Sequence, residues 1–305
     1  MDFGFPADML PLVRCPVDAG RLRPCSGIDP PASSLRGEII CEACEARYEI
    51  AGGILDLLGN RPPPDSISAR ELEARDKSVR REELESGPPP PWRTIDWMEI
   101  PSTLRRLAPP ADGDLLDFGC GRGRITYHLL ERCRRILAVD FSRGLLESFA
   151  RRLSGRRNIG LVRADLTTIR LTPESFDRVL SSQVLEHIPA PEARSSFLIQ
   201  ARGALKTGGL FVGTAYAQSL SRRLKRLPKD GCHPSGIYYH CFDKSELREE
   251  LAPHFEIVRI HPILIELPVL STLHVSPAWL SRLLEPVPIL GSFGHLFLVQ
   301  ARRRD

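Results

Sequence analysis

Asp117 precedes three glycines, Gly119, Gly121 and Gly123, in the run Leu115-Leu-Asp-Phe-Gly-Cys-Gly-Arg-Gly-Arg124. Glycine at this spacing lets a backbone turn sharply and brings its N–H groups close to a ligand. Asp117 leaves the preceding strand where a carboxylate can meet a cationic ligand. A second acid, Asp140, closes the run Arg135-Ile-Leu-Ala-Val-Asp140, 21 positions beyond Gly119. An acid at that distance can accept hydrogen bonds from both hydroxyls of a ribose. A dinucleotide fingerprint would carry glycine or alanine at 124, and Arg124 stands there instead.

Four of the eight cysteines, Cys15, Cys25, Cys41 and Cys44, lie in the first 44 residues. Cys41-Glu-Ala-Cys44 at a hairpin turn offers two thiolates at tetrahedral zinc spacing, and Cys15 adds a third. The fourth ligand is either Asp18, three positions after Cys15, or Cys25 reaching back. The rival is a metal-free ribbon with buried thiols. A segment this short buries little surface, so a metal would supply part of its stability.

These residues need a sheet whose strands end in acids. Strands are expected at 115–118, 135–140, 159–165, 176–184, 208–216 and 255–260, with a last one at 295–301. Helices are expected at 122–133, from Ser142 onward, at 100–107 and after the capping-box pair Asp243 and Glu246. Five strands alternating with helices imply a parallel α/β sheet covered on both faces. The small ribbon occupies 1–60, a charged helical linker 61–91 and the large domain 92–305. Within the linker, 66–86 reads as a solvated helix between proline-rich breaks at 60–64 and 87–91, with a lid over the site as the alternative. An apolar insert at 262–293, with a short helix near 277–284, is a cap on the core, a wall for a greasy substrate or a homodimer face.

An acid followed by G-x-G-x-G, with acids again ending the next two strands, resembles the class I S-adenosylmethionine-dependent methyltransferases. Phe176-Asp-Arg-Val-Leu-Ser-Ser-Gln-Val-Leu-Glu-His-Ile-Pro189 resembles the fourth-strand segment of their ubiquinone-biosynthesis-like group. The resemblance implies a doubly wound, seven-stranded Rossmann-like sheet with its last strand antiparallel, and S-adenosyl-L-methionine as cofactor. It also implies roles: Asp117 for the methionine ammonium, Gly119, Gly121 and Gly123 for the turn, and Asp140 for the ribose. Phe141 would flank the adenine, Asp165 would take its amino group, and Gln183 would lie near the cofactor. The first sixty residues are similar to the small zinc-ribbon-like activators of tRNA and protein methyltransferases, with Tyr48 and Ile54 in matching places of the terminal hairpin.

Methyl transfer to a hydroxyl needs a proton acceptor, and histidine titrates near neutrality. His187 sits in a compact turn closed by Pro189 and is expected to pack or orient. His240 and His233, in the loop after the fifth strand, are the better base candidates, with Tyr216 or a water as the alternative. The substrate is expected to be a small molecule, glycan or lipid-linked intermediate. An RNA base is the alternative, since a zinc ribbon before this fold resembles bacterial ribosomal RNA guanine methyltransferases. The third possibility is a non-catalytic interaction module. Against RNA, the fourth strand ends in Ser-Ser-Gln-Val and not the Asn/Asp-Pro-Pro-Tyr used for exocyclic amines, and the net charge is only +4. No run of 18 apolar residues is present and no leader is visible, so a cytoplasmic protein is expected.

Overall fold

The computed structural model describes residues 4–25, 34–59, 66–79, 94–153, 155–265, 284–285 and 287–304. The proline-rich breaks expected at 60–64 and 87–91 lie outside the described residues. So does the helix expected near 277–284, Leu284 apart. Eleven strands form one sheet: β1 (Leu22–Pro24), β2 (Gly37–Cys41), β3 (Arg47–Ala51), β4 (Ile54–Asp56), β5 (Asp114–Phe118), β6 (Arg135–Asp140), β7 (Ile159–Arg163), β8 (Phe176–Ser182), β9 (Leu205–Tyr216), β10 (Phe255–Ile265) and β11 (Gly294–Arg303). Their order across the sheet is β10-β11-β9-β8-β5-β6-β7-β4-β3-β2-β1.

Strands β5 to β11 make the seven-stranded Rossmann-like unit that was expected. β5 pairs in parallel with β6 and with β8, β6 with β7, and β8 with β9. β11 runs antiparallel to both β9 and β10. Both faces of the central strands are covered: all five positions of β5 are buried, Asp114 and Asp117 included. On one face Phe118 stacks on Phe197 of α4 (Pro191–Ala204) with ring centroids 4.8 Å apart. The other face packs Leu180 and Val212 with Met98 of α2 (Thr94–Leu107) and Phe149 of α3 (Arg143–Arg151). Burying each such phenylalanine stabilises by roughly 1.5–3 kcal/mol. The chain runs outward from β5 through β6 to β7, then crosses back to β8. That reversal opens a crevice at the carboxyl ends of β5 and β8, where ligands bind in open α/β sheets.

The N-terminal β-rich segment, expected as a ribbon, is joined to this sheet. Its β4 pairs in parallel with the edge strand β7, Ile54 opposite Leu161 and Asp56 opposite Arg163. β3, β2 and β1 continue outward as an antiparallel meander. Phe5 and Met9 press on the outer strand so closely that a Cβ on Gly160 would lie 3.0 Å from the Phe5 ring. The Asp56 carboxylate is clamped by Arg163 (2.9 Å) and Arg143 (3.3 Å). An otherwise open sheet edge is thereby covered.

Three local expectations are corrected. The helix at 122–133 is absent; a 3-10 turn spans Thr126–Leu129. Gly121 and Gly123 adopt φ +53° and +77°, which no right-handed helix accommodates, so the chain after the strand closes mainly with short-range turns. The linker helix α1 (Ser66–Val79) is not simply solvated. Its Asp76 accepts from the Ser142 hydroxyl (2.6 Å) and the Gly144 N–H (3.1 Å), holding it on the amino end of α3. The sixth strand of the unit, β10, runs to Ile265, five residues past its expected end, so the first residues of the expected apolar insert are strand.

Candidate active site

The glycine turn gives each glycine a different task. A Cβ on Gly119 would lie 2.3 Å from Val184, and one on Gly123 would lie 2.2 Å from the Phe149 ring. Both positions therefore serve close packing. A Cβ on Gly121 would meet nothing nearer than Leu145 at 4.0 Å. Gly121 is thus the point where the backbone borders open space.

Asp117 lies beneath the turn, buried, and accepts a hydrogen bond from the Thr126 hydroxyl. Burial, reinforced by the nearby Asp140 charge, raises its pKa well above the usual carboxylate range. Asp140 accepts from the Gly121 N–H (2.8 Å) and the Ser142 N–H (2.9 Å), tying the end of β6 to the turn. Its pKa is also raised by burial, against the pull of Arg75 and the backbone N–H groups. A carboxylate offers about four lone-pair positions, so capacity remains beyond these backbone N–H groups. Phe141 follows directly, and the Ala164 N–H donates to the Asp140 carbonyl, which brings the end of β7 and Asp165 to the same rim. Asp165 Oδ1 closes its own turn through the Thr167 N–H (2.8 Å) and hydroxyl (2.7 Å).

Gln183 takes φ +54° as β8 turns into the site, and its Nε2 donates to Glu99 at 2.6 Å. Glu99 is the hub of a buried network that sequence reasoning missed. It pairs with Arg124 (2.8 Å) and accepts from Ser182 (2.7 Å) and Thr214 (2.6 Å), while Arg124 also holds Asp96 at 2.6 Å. The sequence signal was Asp96 and Glu99 flanking Met98 on one helix, with an arginine where a dinucleotide turn would have glycine. α1 adds a second ion pair, Glu71 to Arg75, whose Arg75 field reaches Asp140, Glu186 and His187.

Glu186 is completely buried, and neither of its oxygens has a hydrogen-bond partner among the described residues. Burial, with smaller contributions from the Glu99 and Glu71 charges, raises its pKa well above the usual range. An unpartnered buried carboxyl typically costs about 1–3 kcal/mol. Asp117 and Asp140, close enough to feel each other's charge at the turn, are the carboxyl pair fit for a ligand that carries positive charge.

Over the carboxyl ends of β8 and β9 stand four rings. His233 lies 4.7 Å from Tyr239, 5.9 Å from Tyr216 and 6.1 Å from His187, centroid to centroid. His187 Nδ1 lies 2.6 Å from the Tyr238 carbonyl, so Nδ1 carries the proton and Nε2 is left as an acceptor. Burial, aided by the Arg75 charge, pushes its pKa down to about 3, so the ring stays neutral. His240 is placed otherwise than expected. In the hairpin of Asp230–Cys232 with Tyr238–His240, side chains alternate, so Tyr239 joins the rings and His240 points away. Its Nδ1 meets Asp230 at 3.0 Å and its Nε2 meets Glu246 at 2.9 Å. Both nitrogens are engaged, which leaves no lone pair for a substrate proton.

In the ribbon, Cys15, Asp18, Cys41 and Cys44 offer ligand atoms that all lie within 4.8 Å of one another. Cys41 Sγ is 3.3 Å from Asp18 Oδ1, and Cys15 Sγ is 3.6 Å from Cys44 Sγ. The Ala43 N–H points at Cys41 Sγ (3.4 Å), as expected for a thiolate at a turn. Cys25 is not in this group. Three thiols and one carboxylate at these separations fit a tetrahedral zinc ion.

Comparison with known proteins agrees with this arrangement. The family described as "Methyltransferase domain" matches residues 116–213, from the strand carrying Asp117 into β9. The match covers 98 of the 305 residues and gives that stretch the character of a methyltransferase domain. A demethylmenaquinone methyltransferase of Clavibacter sepedonicus is 34% identical over 111 residues, 36% of this chain and 44% of the relative. An rRNA adenine N-6-methyltransferase of Bacteroides fragilis is 26% identical over 160 residues, 52% of this chain and 57% of the relative. The chain thus spans about half the length of the curated relatives it matches. Among solved structures, the Burkholderia thailandensis 1,6-didemethyltoxoflavin-N1-methyltransferase with bound S-adenosylhomocysteine superposes with a TM-score of 0.51 at 18% identity, covering 88% of this chain and all of that one. That likeness is one of fold. No helix among the described residues is long and apolar enough to cross a membrane.

Proposed function

We propose that the chain is an S-adenosylmethionine-dependent methyltransferase acting on an oxygen or nitrogen of a small-molecule, glycan or lipid-linked acceptor. The observation that carries this reading is Asp117 and Asp140 side by side at an open Gly121, with the buried, partnerless Glu186 near Tyr216 of the ring cluster. When bound, the cofactor supplies an electrophilic methyl group on a sulfonium. Asp117 binds the methionine ammonium, and Asp140 uses its remaining lone pairs for the ribose hydroxyls. Phe141 and Asp165 border the adenine, Gln183 flanks the site from β8, and Glu186 offsets positive charge in a region shielded from water. His187, fixed neutral by its bond to the Tyr238 carbonyl, orients Tyr216 and the hairpin. His233 is the group that removes the acceptor's proton. Much of the acceleration comes from alignment of nucleophile and methyl group, and a base adds about 10²–10⁴-fold.

The ribbon would hold one zinc through Cys15, Asp18, Cys41 and Cys44. Such an ion would stiffen the meander that extends the catalytic sheet at β7, beside the adenine rim.

A second reading, methylation of an RNA base, is favoured by the Bacteroides fragilis relative, whose match spans more of this chain than the menaquinone relative's does. The end of β8, Ser181-Ser-Gln-Val184, speaks for the first reading. The test is methyl transfer from labelled cofactor to cell extract divided into RNA and small-molecule pools. Label in the small-molecule or lipid pool supports the first reading; label in RNA alone overturns it in favour of the second.

A further inference from the structure

A cavity of about 660 Å³ opens between α5 (Leu220–Leu224), α6 (Lys244–Leu251) and the strand β10, apart from the glycine turn and the ring cluster. Its described lining carries Lys244, Arg248, Arg259 and His261, with Glu285 as the one carboxylate among the described lining residues. Arg223 also lines it, but is engaged by Asp243. Lys244, Arg248 and Arg259 are exposed and make no ion pair among the described residues. Three cations without an ion pair among the described residues around one concavity favour a negative occupant, because like charges repel.

The neighbours feel that charge in addition to their burial. His261 is pushed down to about 4 by burial and then by Arg259, Arg106 and Lys244. Arg106 is lowered as well, by burial and by Arg259. The backbone is shaped for the purpose. The pairing of β10 with β11 slips between Ile257 and Arg259, so Val258 is an extra residue and both Val258 and Arg259 stand exposed. Bulges of this kind re-aim side chains at binding sites. Beside the cations, the walls are apolar: Val258 is 50% exposed and Val287 39%, with Ile260 and Phe297 behind them.

We propose that this cavity is a second ligand site, binding the phosphate of an anionic amphiphile through Lys244, Arg248 and Arg259 while Val258 and Val287 cover its apolar chain. The site stands independently of the proposed methyl transfer, since its lining shares no residue with the cofactor crevice. A phosphate takes charge-assisted hydrogen bonds from arginine forks and lysine, and an alkyl chain gains from contact with the exposed valines.

The probe is octyl phosphate, titrated calorimetrically into the full chain, with inorganic phosphate and octanol as partial ligands. Octyl phosphate is expected to bind more tightly than either. Arg259→Glu and Lys244→Glu should each weaken it by about tenfold or more, with the melting temperature and cofactor binding unchanged. Should a reversed charge disturb folding, Arg248→Gln, at an exposed unpaired position, gives the same readout. Sedimentation with phosphatidylglycerol vesicles, against phosphatidylcholine, identifies the source. Co-sedimentation lost in Arg259→Glu places the phosphate in a bilayer, and octyl phosphate binding without co-sedimentation places it on a soluble ligand. Equal binding by wild type and these variants, no binding of octyl phosphate, or octanol binding as tightly, overturns the proposal.

Discussion

Replacing Gly121 and Gly123 by alanine, one at a time, separates ligand approach from packing within a single turn. Both glycines adopt positive φ, so alanine at either pays roughly 1–2 kcal/mol for the left-handed conformation. At Gly123 the new Cβ would also lie 2.2 Å from Phe149, a fully buried ring between α3 and the sheet. Overpacking of that kind adds about 1–3 kcal/mol. Gly123→Ala should therefore lose about 2–5 kcal/mol, a fall in melting temperature on the order of 10 °C. At Gly121 the Cβ meets only Leu145 at 4.0 Å, so the stability loss stays near the conformational cost alone. Its methyl group, however, stands in the space left for the ligand. Gly121→Ala should keep a melting temperature within a few degrees of wild type while losing most cofactor affinity in calorimetric titration. Wild-type affinity in Gly121→Ala, or destabilisation equal to that of Gly123→Ala, would refute the assignment of open space over Gly121 to the cofactor.

Three further outcomes follow from the site. Glu186 has a folded-state pKa raised by burial, so its contribution to stability is fully present below the unfolded value of about 4.3 and lost as pH rises toward the folded value; Glu186→Gln should thus raise the melting temperature of the ligand-free protein at pH 7 to 8, leave it nearly unchanged at pH 4, and weaken cofactor binding. His233→Ala should cut turnover by about 10²-fold or more with cofactor affinity intact, whereas His240→Ala should lower stability by freeing Asp230 and Glu246 and leave the pH–rate profile of the remaining folded enzyme unaltered; normal turnover in His233→Ala would move the proton to Tyr216 or a water. Elemental analysis of protein purified without a metal-binding tag should give one zinc per chain, reduced by Cys41→Ser and untouched by Cys25→Ser, and a fully folded metal-free protein would make the ribbon a packing unit only.

The glycine turn and the acids near the ends of β5 and β6 were legible because each depends on residue types that chemistry restricts, while Asp165, expected to end a strand, lies two residues past β7. A backbone at φ +98° asks for Gly119, and a carboxylate at a strand end has few roles. What stayed hidden depends on packing between distant segments. Asp96 and Glu99 look like solvated helix residues until α2 is laid across β8 and β9, where Gln183 and Thr214 reach Glu99. Glu71 and Arg75 lie in a charged helix whose burial comes from α3. His240 and Tyr239 are adjacent in sequence, and which of them faces the cleft is set by strand register, which the hairpin fixes and the sequence pattern leaves open. The merging of the ribbon with the large domain was equally invisible, since Ile54–Asp56 reads the same whether its neighbour is solvent or β7.

The most direct measurement is calorimetric titration of the full chain with S-adenosylmethionine, S-adenosylhomocysteine and NAD, repeated on Asp117→Ala. One site per chain is expected for the first two ligands, with no binding of NAD. Asp117→Ala removes the buried carboxylate that takes the ammonium, and should lose at least about tenfold in affinity, roughly 1.4 kcal/mol. Preferential binding of NAD, or undiminished S-adenosylmethionine binding in Asp117→Ala, would contradict the account.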